Sequence, residues 1–246
     1  MKIFELSHIG EFHTNHNEDS KVVADLGEDY KLIAVMDGCS SGTDSHFASN
    51  LIGKILRKFA KQESYRQYAE RSIKEAKPLI EEITLNLFEE LQNLNRLLDL
   101  KSDEILSTAI IGVVNVKNKI AELVVIGDGV IHHDGQTIEY ENDNKPDYIG
   151  YHFKMDKHLW YQTQTEKLSL MKFKDLSIST DGVHTFKNFD GKTYKKIEPE
   201  AIIDEFFNSR QFEENSNKLK KIMIKMKDEY GLKPSDDLTI IRLIDE

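Results

Sequence analysis

One cysteine, Cys39, stands in 246 residues, so the chain forms no internal disulfide. That fits a reducing compartment. No apolar run approaches the ~20 residues that span a bilayer. The opening MKIFELSHIGEFH lacks the apolar core and small-residue cleavage site of a secretion signal. These absences point to the cytoplasm and away from the membrane. Basic residues are in the minority, 33 Lys and Arg against 43 Asp and Glu, for a net charge of −10. Phosphate backbones are gripped by basic patches, so nucleic acid is not an expected partner. The lysine-rich KLKKIMIKMK has the apolar spacing of a solvated helix face. A glycine-rich loop ending in Gly-Lys-Ser/Thr is missing, which removes the common nucleotide-hydrolase route. Repeats, low-complexity tracts and linkers are missing too, so residues 1–246 are expected to form a single domain.

What is present is a soluble globular composition, 39% hydrophobic and 31% charged. KIFELSHIG, KVVAD and KLIAVMD read as strands. Phe47, Leu51, Ile52, Ile55, Leu56 and Phe59 share one helical face, with Asp44 or Ser45 as N-cap. A second helix carries Ile80, Ile83, Leu87, Leu91, Leu94 and Leu98. Pro78 suits its first turn and sets a break near Lys77. STAIIGVVNV and IAELVVIGD form a predicted hairpin, and Asp134-Gly135 turns another. Residues 141–157 read as a loop or lid, and HLWYQTQT and DLSISTD as strands. Two more apolar stripes, Ile202 to Phe207 and Leu219 to Tyr230, precede the closing strand LTIIRLI. Helices thus come in pairs between blocks of strands, which predicts an α+β fold with antiparallel sheets.

The informative residues are acidic. Asp37, Asp128, Asp181 and Asp236 each adjoin an apolar strand run. Carboxylates at strand ends that converge on one point raise one another's pKa, and hard divalent cations relieve that repulsion. The pattern points to a metal-dependent enzyme. Cys39 does not read as a nucleophile, because a cysteine phosphatase needs an arginine six residues on and Ser45 stands there. An aspartyl-phosphate enzyme needs an aspartate two residues after the first, and Cys39 occupies that place. His132 and His133 sit in a strand and face opposite ways, so both read as structural, and Trp160 and Tyr161 read as packing.

Asn17-Glu18-Asp19-Ser20, Asp37-Gly38, Ser107-Thr108-Ala109, Gly127-Asp128-Gly129, Thr180-Asp181-Gly182 and Asp236-Asp237-Leu238-Thr239 follow in order. The ordered series resembles the metal-dependent protein phosphatases, the type 2C serine/threonine phosphatases, from Asn17 to Thr239. The resemblance implies two antiparallel sheets packed as a central sandwich, with a pair of helices on each side. It implies two Mn²⁺ or Mg²⁺ ions, and a third, weaker one. Asp37 matches the aspartate that bridges the metals, and Gly38 the residue whose carbonyl is a ligand. Asp181 and Asp236 match further ligands of the first metal. Glu18 matches the acidic residue of the second, directly or through water, and Asp19 its supporting partner. Asp128 matches the third-metal position, and Thr108 a buried structural one. The implied reaction is attack of a metal-activated water on phosphoserine or phosphothreonine of a phosphorylated protein, without a phosphoenzyme.

Two positions depart from the family pattern. An arginine often precedes Asn-Glu-Asp to bind phosphate, and here His13, with His16 nearby, stands in that segment. Histidine lacks the guanidinium fork. Cys39 stands where many members carry a histidine after Asp-Gly. Protonation of the leaving group then falls to metal-bound water, His13 or His16. A second reading follows: a catalytically weak relative that binds a phosphorylated partner.

Overall fold

The computed structural model describes residues 1–70, 74–141 and 146–245. In chain order it has β1 (Lys2–His8), β2 (Ser20–Asp25), β3 (Tyr30–Gly38), α1 (His46–Glu70), α2 (Ala76–Leu98), β4 (Ser107–Asn115), β5 (Ile120–Ile126), β6 (Gly129–His133) and β7 (Gln136–Tyr140). Then come α3 (Lys157–Thr163), β8 (Lys167–Met171), β9 (Asp175–Ser179), β10 (Phe186–Asn188), α4 (Pro199–Phe207), α5 (Lys218–Tyr230), β11 (Leu232–Pro234) and β12 (Leu238–Ile244). One five-stranded sheet runs β1-β12-β9-β6-β7 and another β2-β3-β4-β5-β8, with every pairing antiparallel. A small ribbon pairs β10 with β11.

Strand alternation builds the layers. On β3, Ile33 and Val35 face the other sheet, where they meet Ile178, Ile241 and Leu243. Leu32, Ala34 and Met36 face the opposite way, onto Ile52, Leu56, Ile83 and Phe88 of α1 and α2. On β12, Leu238, Ile240 and Ile244 pack on Phe206, Phe207, Ile222 and Met226 of α4 and α5. Three apolar cores therefore separate four layers, and the expected sandwich with a helix pair on each face is what forms. Arg242 breaks the stripe on the helix side. Its guanidinium is fully buried, holding Asp175 at 2.6 and 3.1 Å and the carbonyls of Phe206 and Ser209.

One expected element changes type. HLWYQTQT, read as a strand, forms most of α3 instead. The Asp156 carboxylate accepts the His158 and Leu159 N–H groups and caps the helix. Trp160 then stacks on Phe88 of α2, ring centroids 4.0 Å apart. Tertiary packing and a cap outweigh strand propensity here. The break near Lys77 falls one residue inside α2, and the residues just after α1, 71–73, lie outside the described ones. Within the segment read as a loop or lid, residues 142–145 lie outside as well, and Ile149–His152 form a 3-10 turn.

Candidate active site

Register brings the acidic motifs to one end of the sandwich. Asp37 sits at the end of β3 opposite Thr108 of β4. Asp181 opens a 3-10 turn directly after β9, and Ile240 of β12 pairs with Ser179 of β9, so Asp236 arrives beside it. Asp128 lies where the chain leaves β5 in one sheet for β6 in the other. The β1–β2 loop starts at the same end, since His8 pairs with Leu238, and it carries His13, Glu18 and Asp19 inward. Two glycines permit the close approach of these segments. A Cβ on Gly182 would lie 1.9 Å from the Asp237 carbonyl oxygen, and one on Gly38 would lie 2.0 Å from that of Ser45.

Asp237 ties the corner together. Its Oδ1 accepts the Gly10 N–H at 2.7 Å and its Oδ2 the Glu18 N–H at 2.5 Å. The same Oδ2 stands 2.9 Å from His13 Nδ1, a close contact without the alignment of a hydrogen bond. That contact leaves His13 Nε2 3.7 Å from Asp236 Oδ1 and 3.8 Å from Glu18 Oε2. Glu18 also accepts the hydroxyls of Ser40 at 2.7 Å and Ser45 at 2.5 Å. Ser45, one of the two N-cap candidates, thus serves the site. Thr180 donates its hydroxyl to Asp19 Oδ2 at 2.8 Å and accepts the Thr239 N–H at 3.0 Å.

The electrostatics record the crowding. Burial raises the Asp37 carboxyl well above the usual carboxylate range, and the charges of Asp19, Asp181 and Asp236 add to it. Asp19 is pushed up to about 8, first by burial and further by the charge of Asp237. Asp181 is raised by burial and by Asp236, and Asp236 by burial with Asp237 and Glu18 behind it. Asp128 reaches about 6 through burial and the charge of Asp181. Burial opposes charge on His13, yet Asp237, Glu18 and Asp236 outweigh it and raise that imidazole. Carboxylates far apart in the sequence therefore share one electrostatic neighbourhood.

These residues suit a hard divalent cation in donor type and charge. Oxygens dominate the set, the carboxyls repel one another, and among the described residues the buried Asp19 Oδ1 has no aligned hydrogen-bond partner. Among the described residues no three His, Cys, Asp or Glu side chains already stand arrayed as ligands around one point. Glu18 is engaged by the serines, and Asp236 Oδ1 accepts the Asp237 N–H at 2.8 Å. Asp37, Asp181, Asp236, Glu18, Asp19, Asp128, Gly38 and His13 are brought together, while His16 stacks on His46 at 4.3 Å and leaves the cluster. Thr108, read as structural, lies close enough to the Asp128 carboxyl to offset part of its rise. Sequence reasoning missed the role of Asp237, whose only signal is a second acid after Asp236. It also missed Tyr148, whose phenol is raised by burial and by a hydrogen bond with Cys39. A cavity of about 200 Å³ beside the cluster is lined by Asp128, Asp181, Glu139, Glu141 and His184.

Solved structures share this architecture. A bacterial serine phosphatase matches at 13% identity and a TM-score of 0.63, covering 100% of this chain and 98% of that one. The serine/threonine phosphatase Stp1 from Staphylococcus aureus matches at 12% identity and a TM-score of 0.65, covering 100% and 95%. RsbX, solved in complex with magnesium, matches at 17% identity and a TM-score of 0.56, covering 98% and 92%. At such identities the likeness establishes the fold, which is that of bacterial serine/threonine phosphatases. A family model described as Protein phosphatase 2C matches residues 8–223, and the chain belongs to that family. No curated protein matches it.

Proposed function

We propose that this chain hydrolyses phosphoserine and phosphothreonine in proteins, using two divalent cations, Mn²⁺ or Mg²⁺, and no phosphoenzyme intermediate. The observation that carries the reading is the convergence of Asp37, Asp19, Asp181 and Asp236, from distant parts of the chain, at one end of the sandwich. Asp37, Asp181 and Asp236 would hold one cation, with Asp37 and Glu18 toward the second, Asp128 toward a third, and the Gly38 carbonyl as a further ligand. When bound, such ions lower the pKa of water and neutralise phosphoryl oxygens.

The remaining work falls to the chain itself. Asp237 fixes the His13 ring by its Nδ1 side, so that Nε2 faces the acidic cleft and donates to a phosphate oxygen. Asp19, anchored by Thr180, holds Asp37 in place. Cys39 is buried with its Sγ 3.2 Å from the Ser41 hydroxyl, which supports hydrolysis without a protein nucleophile. No helix among the described residues is long and apolar enough to cross a membrane. We further propose a cytoplasmic, single-domain enzyme acting on phosphoproteins rather than nucleic acid, since a net charge of −10 disfavours a phosphate backbone.

The test is phosphate release from p-nitrophenyl phosphate and a phosphothreonine peptide with Mn²⁺, Mg²⁺ or chelator. Metal-dependent turnover is expected, and turnover that persists in chelator refutes the reading. Metal binding without turnover would instead favour the weak relative that only binds a phosphorylated partner.

A further inference from the structure

An exposed aromatic pair stands at the rim of the site, and the chemistry above does not use it. Phe12, the residue before His13, is 68% exposed. Its ring meets Phe189 edge-on, centroids 5.8 Å apart at 86°, and Phe189 is 40% exposed. The Lys187 ammonium lies 5.4 Å from the Phe12 centroid and has no carboxylate partner among the described residues. The pair is held by backbone. Glu11 and Phe12 donate their N–H groups to the carbonyls of Pro234 at 3.1 Å and Ser235 at 3.0 Å. Pro234 belongs to β11, which pairs with β10, the strand that carries Lys187 and leads into Phe189. The platform is therefore fixed, and it is joined to His13 by one peptide bond.

Adjacent Cα atoms are about 3.8 Å apart, and an extended peptide advances about 3.3–3.6 Å per residue. For a substrate chain with its phosphate at His13, Phe12 is thus within reach of side chains up to about three residues from the phosphorylated one. Covering these rings with an apolar side chain removes apolar surface from water. The Lys187 ammonium places one positive charge beside the rings, which an anionic phosphosubstrate can meet. We propose that Phe12 and Phe189 form a substrate subsite. It receives a large apolar side chain within about three positions of the phosphoserine or phosphothreonine. This inference rests on the phosphatase reading of the site.

The experiment compares phosphothreonine peptides in which a single leucine is walked through the flanking positions of a glycine background. The full chain is assayed with Mn²⁺, with p-nitrophenyl phosphate run in parallel. The best leucine position is expected to raise kcat/KM about tenfold over the glycine peptide, the low end for one apolar group in a pocket. The Phe12→Ala/Phe189→Ala variant should bring that ratio close to one, and Phe12→Leu should retain most of it. Equal turnover of leucine and glycine peptides by the wild-type chain overturns the subsite, as does a preference that survives the double alanine variant. If the wild-type chain turns over neither peptide nor p-nitrophenyl phosphate, the phosphatase reading is what fails. Fluorescence anisotropy of the same labelled phosphopeptides then decides the subsite by the same ratio.

Discussion

The carboxyl cluster makes a prediction about pH with a definite sign. The folded chain holds protons on Asp19 and Asp37 that the unfolded chain releases near its ordinary carboxylate pKa of 3.8. A carboxyl raised on folding contributes full stability below its unfolded pKa and loses it as pH climbs through the folded value. For Asp19 that loss runs up to about 8. One proton corresponds to about 1.4 kcal/mol per pH unit. His8 and His132, lowered by burial, act oppositely below 6.5, and Lys218, lowered by burial to about 8, acts oppositely only above that. His13, raised, adds in the same direction as the carboxyls. Between pH 6.5 and 8 in chelator, Asp19 alone should therefore lower stability by about 1–2 kcal/mol, with Asp37 and His13 acting in the same direction. Urea unfolding at several pH values measures it, and the Asp19→Asn/Asp37→Asn variant should flatten most of the slope. Stability that stays level or rises across that window would refute the proton assignment.

Other variants test individual parts. Asp181→Asn should cut turnover at least about 100-fold. It should not lower the chelator melting temperature, because it removes a charge that Asp37 feels; unchanged kcat rejects its role. His13→Ala should lower kcat/KM about tenfold or more, the cost of a hydrogen bond to a charged group, and steady-state kinetics would report it mainly in KM. Gly182→Ala should destabilise by at least about 1–3 kcal/mol, since its Cβ meets backbone at 1.9 Å; denaturant midpoints show whether it does.

Much of this was readable because the acids interrupt strongly apolar strands. LIAVMD and LVVIGD announce a buried strand and its end in the same few letters. The tight turn at Asp134-Gly135 was equally plain. Elements whose stability comes from distant partners were not legible. Strand β8 shows only one buried side chain, Leu170, and β10 and β11 are three residues each, so none carries a clear period. Helix α3 depends on Phe88, far away in the sequence. His13 and His16 look alike in an irregular loop, and only the carboxylate of Asp237 distinguishes them. Asp237 itself is recognised by its three partners, Gly10, His13 and Glu18, all at the other end of the chain.

The most direct test is calorimetric titration of Mn²⁺ into the chelator-stripped chain near pH 7.5, in two buffers of different ionisation enthalpy. Binding should displace protons from the adjacent Asp19 and Asp37 carboxyls, so the heat should differ between buffers by about one proton per chain. Asp37→Asn should abolish most of the binding. Absence of binding, or binding that releases no proton and survives Asp37→Asn, would contradict a shared carboxylate site for divalent cations.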